Sequence, residues 1–146
     1  MSETHYLVDT NALSRLSASE RASRFVRDRC GITDDVFWES RDLADAAQLQ
    51  ILVQPTTAHA LAVIKEIMNK VPVGDLKLVN LYGNKGAADP GLVACAIAAT
   101  ARSQDTLFQQ EWLVVTDDRE VRRKAERFDV EWMSSSDFVA TLRATP

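Results

Sequence analysis

The chain has 146 residues, with 21 acidic and 17 basic side chains, two histidines and a formal net charge of −4. That length fits one domain able to bury roughly 68–70% of its unfolded surface without a metal or disulfide staple, and 46% apolar with 26% charged residues excludes intrinsic disorder and a coiled coil. No apolar run reaches the ~18 residues of a membrane span, the opening MSETHYLVDT is too polar for a signal peptide, and Cys30 and Cys95 form neither a disulfide framework nor a metal-ligand spacing, so a reduced, cytoplasmic, soluble protein with no membrane partner is expected.

A buried strand is predicted at Tyr6, Leu7 and Val8, ending at Asp9, followed by a helical turn from Asn11 to Leu16. Ser19 and Glu20 open a helix that runs through Arg29 and stops at Gly31. Thr33 with Asp34 and Asp35 starts another, carrying Val36, Phe37 and Glu39. Leu49 to Val53 is predicted as a strand cut off by Pro55, and Thr57 caps a helix on which Leu61, Ile64, Ile67 and Met68 recur at helical spacing. From Val71 to Gly86, Gly74, Gly83 and Gly86 mark loops. Asp89 before Pro90 is a helix-start pair, cap then proline at the first helical position, and opens an alanine-rich helix through Leu92, Val93, Ala96 and Ile97. Leu113 to Val115 is a third strand, Arg119 to Arg127 a basic helix, Val130 to Met133 a fourth strand, and Ser135 or Ser136 caps a last helix. Strands alternating with helices point to an α/β fold: a central parallel β-sheet flanked by α-helices.

In such a sheet, sites form outside the carboxyl ends of the strands. Two strands here end in acid, at Asp9 and at Asp117-Asp118; Asp89 stands at a helix N-terminus and Glu39 about one turn inside another helix. Converging carboxylates raise one another's pKa unless a cation neutralises them, and an oxygen-rich cluster suits Mg²⁺ or Mn²⁺. Each acid also has a plainer reading: Asp89 and Asp117-Asp118 as helix caps, Glu39 as a solvated helix residue. Asp9 is the least easily explained that way, since Asp is depleted from strands.

These residues together resemble the PIN-domain ribonucleases, and among them the small stand-alone VapC-type toxins. The family's opening strand ends in Asp-Thr-Asn, matched by Leu7-Val8-Asp9-Thr10-Asn11-Ala12-Leu13. Its glutamate about thirty residues on is matched within Ile32-Thr33-Asp34-Asp35-Val36-Phe37-Trp38-Glu39, and its third acid within Ala88-Asp89-Pro90-Gly91-Leu92-Val93-Ala94. The last acid, in a Thr-x-Asp pattern before a basic helix, is matched by Val115-Thr116-Asp117-Asp118-Arg119-Glu120; the spacing selects Asp118, with Asp117 the alternative. Where members often carry an aromatic three residues after the last acid, this chain has Val121. The match runs in order along nearly the whole chain as a single PIN-like domain.

The resemblance implies a PIN-like α/β/α sandwich and metal-dependent endonuclease cleavage of RNA. Asp9 and Asp89 would hold Mg²⁺ or Mn²⁺, with Asp118 or Asp117 completing the set and Glu39 orienting or deprotonating water. Asn11 and Thr116 are placed to hydrogen-bond neighbouring carboxylates. Arg15, Arg119, Arg122 and Arg123 could grip RNA phosphates, or, interleaved with Glu120 and Glu126, form a solvated face. Related toxins form homodimers and are restrained by a cognate antitoxin; Phe37, Trp38 and the apolar face of the helix after Thr57 could supply such interfaces, though core packing is the plainer reading. The rival functions are a non-catalytic PIN-like scaffold binding RNA or protein, and an aspartate-based phosphatase, against which Asn11 stands where a second Asp is wanted.

Overall fold

The computed structural model describes residues 2–55, 57–69 and 88–145, without the side chains of residues 2, 67–69 and 88–90. The loop reading of Val71 to Gly86 lies outside the described residues.

Four strands, β1 (Ser2–Val8), β2 (Cys30–Gly31), β3 (Gln109–Val115) and β4 (Trp132–Met133), form one sheet in the order β2-β1-β3-β4, and every pairing is parallel. Leu7, Val8, Val114 and Val115 are 1% exposed or less, so the strands read as continuous apolar runs because both faces of the sheet are covered. The register sets Val8 against Val115. Both strands therefore end side by side, and Asp9 and Thr116 emerge at the same edge.

Helices flank this sheet, giving the α/β architecture expected of a PIN-like fold: α1 (Thr10–Ser14), α2 (Ala18–Arg21), α3 (Arg24–Arg29), α4 (Asp34–Glu39), α5 (Ala58–Asn69), α6 (Ala88–Gln104), α7 (Arg119–Arg127) and α8 (Ser135–Ala144). Tyr6 of β1 packs its ring against Phe25 of α3 and Phe138 of α8, at centroid distances of 5.6 and 5.5 Å. A bidentate pair of Arg21 with Asp45, both bonds 2.8 Å, is largely buried and also ties down the Leu13 and Leu16 carbonyls.

Several elements differ from expectation for identifiable reasons. Leu49 to Val53 is not a strand but part of a 3₁₀ helix, Ala46–Leu52. Leu49 and Leu52 are buried three residues apart while Gln50 and Ile51 are exposed, which is a 3₁₀ period rather than an alternating one; Val53 keeps only an isolated bridge to Ile32. The second strand is instead the two-residue Cys30–Gly31, too short to carry a pattern. Gly31 is needed there, because a Cβ would lie 2.8 Å from Gln54 Cγ and 2.9 Å from the Trp112 ring. The expected helix from Ser19 to Arg29 is two helices, since Ser17 caps the first in a capping box with Glu20 and Ser23 caps the second. β4 begins at Trp132, because the left-handed Asp129 (φ 58°) and the Val130 amide, bonded to the Ala125 carbonyl, finish α7 first. The last helix is capped by Ser134, one residue before the expected pair. On the surfaces expected to be core, Phe37 is partly buried, but Trp38 is 66% and Leu61 57% exposed.

A candidate acidic site at the carboxyl edge of the sheet

Asp9 is the first residue beyond β1. Its amide still donates to the Val115 carbonyl, its carbonyl accepts from Leu13, and its Oδ1 accepts the Ala12 amide at 2.9 Å. The residue thus ends a strand and caps α1 in one position. Burial raises its carboxyl above the usual range. The Ala12 amide and the Thr116 hydroxyl oppose that shift, while the carboxylates of Asp117 and Asp118 add to it.

Thr116 joins the two strand ends. It is fully buried, its side chain hydrogen-bonds Asp9, and its Oγ1 accepts the Asp118 amide at 3.1 Å. The expectation that Thr116 contacts a neighbouring carboxylate matches this geometry. Asn11 does not play that part: it is exposed and makes no side-chain hydrogen bond among the described residues. Thr10 does so instead, its hydroxyl donating to Glu39 Oε2 at 3.1 Å. Sequence reasoning passed over Thr10, although it sits inside the Asp-Thr-Asn triplet. The contact draws exposed Glu39 to the residue that follows Asp9.

Asp117 and Asp118 have different surroundings. Asp117 accepts the Ser135 amide at 2.9 Å on Oδ1 and the Ser135 hydroxyl on Oδ2, and Arg122 Nη2 lies 3.6 Å from Oδ1. These bonds, with the Arg15 and Arg122 charges, hold its carboxyl below the ordinary carboxylate value. Both oxygens are therefore spent on the start of α8. Asp118 caps α7 through Oδ1 alone, accepting from Glu120 at 2.8 Å and Val121 at 3.5 Å, and is exposed. Of the two acids, Asp118 retains an oxygen outside the helix cap.

Asp89 stands in the first described turn of α6, a helix described from Ala88 onward; its side chain, and with it the expected cap, lies outside the described residues. A further acid approaches that turn. An added Cβ on Gly91 would stand 3.9 Å from Asp35 Oδ2, which brings Asp35 beside the α6 N-terminus. In the sequence Asp35 read only as a first-turn acid of α4; no local pattern announces a contact with a helix far along the chain. Among the described residues, no group of three or more His, Cys, Asp or Glu side chains is arranged to hold a metal ion.

The cations divide in the same way. Arg15 donates to Ser136 Oγ at 3.0 Å, and Arg122 stacks 4.4 Å above the Trp132 ring while reaching the Thr116 carbonyl at 3.4 Å. Arg123 pairs with Glu120 on the exposed face of α7, and Arg119 is exposed with no ion pair among the described residues. Burial pushes the thiols of Cys30 and Cys95 up to about 12 and about 11, so neither is a nucleophile at neutral pH. No protein-family model and no curated protein matches the chain.

Proposed function

We propose that the chain is a metal-dependent endoribonuclease of the PIN type, the toxin component of a VapBC-type toxin–antitoxin pair, hydrolysing RNA phosphodiester bonds at the carboxyl edge of the sheet. The observation that carries this reading is the Thr116 link: one buried hydroxyl bridges the Asp9 carboxyl and the Asp118 amide, with Asp117 alongside. A buried carboxyl whose charge is disfavoured by burial and by two neighbouring acids is the environment a divalent cation relieves. Mg²⁺ or Mn²⁺ would be held by Asp9, Asp118 and, by its place in the first described turn of α6, Asp89. When bound, such an ion supplies Lewis acidity toward the phosphodiester and lowers the pKa of water.

The chain's own groups do the rest. Glu39, held by Thr10, accepts a proton from the attacking water. Thr116 fixes the Asp9 carboxyl and the backbone before α7. Asp117 anchors α8 and keeps Arg122 at the edge, where its guanidinium can meet a phosphate. Arg15, the residue that ends α1, supports the same edge. A homodimer and a cognate antitoxin protein belong to this reading, with exposed Trp38 on α4 as a surface for either.

The test is cleavage of an unstructured RNA in Mg²⁺, Mn²⁺ or EDTA, with Asp9→Ala and Asp89→Ala variants beside the parent chain. Cation-dependent products that vanish in both variants are expected. RNA binding without cleavage by the parent chain under all conditions would make it a scaffold instead.

A further inference from the structure

The elements that deliver acids to one edge of the sheet enclose a cavity of about 400 Å³ toward the other. Thr4 lines it, five residues before Asp9 along β1, which at ~3.3 Å per residue sets it about 16 Å from the acidic site. The floor is apolar: Ala96, Ile97 and Ala101 of α6, Leu113 of β3, and Val130 after α7. Trp112 and Phe128 also line the cavity. The remaining wall is acidic, with Glu111, Asp129 and Glu131. None of these three carboxylates makes an ion pair or side-chain hydrogen bond among the described residues.

We propose that this cavity binds a small organic monocation with a flat apolar body, of the aryl-amidine or arylalkylamine class. The volume is that of a small-ligand pocket. The apolar floor disfavours a bare metal ion or a hydrophilic polyamine, whose charged groups would lose hydration there with little apolar contact in return. The three carboxylates, unpaired among the described residues, disfavour anions and favour a cationic head. Because the carboxylates are exposed, the cation adds selectivity and salt dependence, while apolar contact holds the body. The site stands independently of the function assigned to the acidic edge.

The experiment is an amide NMR titration with benzamidine and with benzamide, its neutral near-isostere. It uses the parent chain, an Ala101→Trp variant that fills the cavity, and a Glu111→Gln/Glu131→Gln variant that keeps its shape. Saturable benzamidine shifts are expected at residues 96–104, 111–113 and 128–131 and not at 9–12, with benzamide at least about threefold weaker. The double Gln variant brings benzamidine down to the benzamide level, and Ala101→Trp abolishes both. The surface Gln pair preserves the test if the Trp variant fails to fold. Shifts scattered elsewhere, equal binding of the two probes, or binding that survives Ala101→Trp overturns the proposal. So does a dimer in sedimentation that Ala101→Trp dissociates, since a second copy would then be the occupant.

Discussion

Replacing Asp117 by Ala separates the two adjacent acids at the end of β3. The change removes both acceptors of Ser135, whose amide is a free donor in the first turn of α8 and whose hydroxyl is fully buried. A hydrogen bond to a charged group contributes about 1.5–3 kcal/mol, and Asp117 is a third exposed, so water replaces part of each bond and the lower end applies. The two bonds together come to about 3 kcal/mol. The 3.6 Å contact to Arg122, also partly exposed, adds under about 1 kcal/mol. For a chain of this size the loss corresponds to a Tm lower by about 6–12 °C. Asp118→Asn, by contrast, keeps the Oδ1 that caps α7 and should stay within about 0.5 kcal/mol of the parent. Urea denaturation followed by far-UV circular dichroism measures both variants. A stable Asp117→Ala chain, or an Asp118→Asn chain equally destabilised, refutes the division of labour between the two acids.

Asp9→Asn should raise Tm at neutral pH, because it removes a charge whose burial opposes folding while keeping the Oδ1 cap of α1; differential scanning calorimetry checks the direction. The pH dependence has two opposed parts. Asp117, depressed in the fold, stabilises above the ordinary carboxylate value and loses that contribution as pH falls through its lowered folded value. Asp9, raised in the fold, costs stability above its folded value and is relieved as pH falls through it, so the acid limb of the parent's stability curve should steepen in Asp9→Asn. Arg21→Met leaves the half-buried Asp45 without its partner and should cost about 1.5–3 kcal/mol in urea titrations. Glu39→Gln should slow RNA cleavage by about 10²-fold or more with little change in fold, read in single-turnover assays.

The sheet's central strands were legible because they are continuous apolar runs, which a parallel sheet covered on both faces requires. Tyr6 to Val8 and Leu113 to Val115 are such runs. Cys30–Gly31 carried no such pattern, being two residues paired through backbone to a strand 24 residues earlier. The 3₁₀ helix at Ala46–Leu52 looked like a strand because a short apolar run does not declare its period until burial is known. At the site, Asp9 and Thr116 were readable from their position after the strands. The roles of Asp117, Thr10 and Asp35 were not, since each depends on a partner from another element: Ser135, Glu39 and the first turn of α6. The net charge of −4 likewise says little about a substrate. What matters locally is that Arg15 and Arg122 stand beside the acids at one edge.

The central claim is that the acids at the strand ends form one cation site, and Mn²⁺ binding measured by isothermal titration calorimetry tests it without reference to any substrate. Saturable binding to the parent chain is predicted, weakened at least about tenfold in Asp9→Asn, since loss of a holding carboxylate costs no less than loss of a group that merely supports one. Identical isotherms for the two chains would contradict the account.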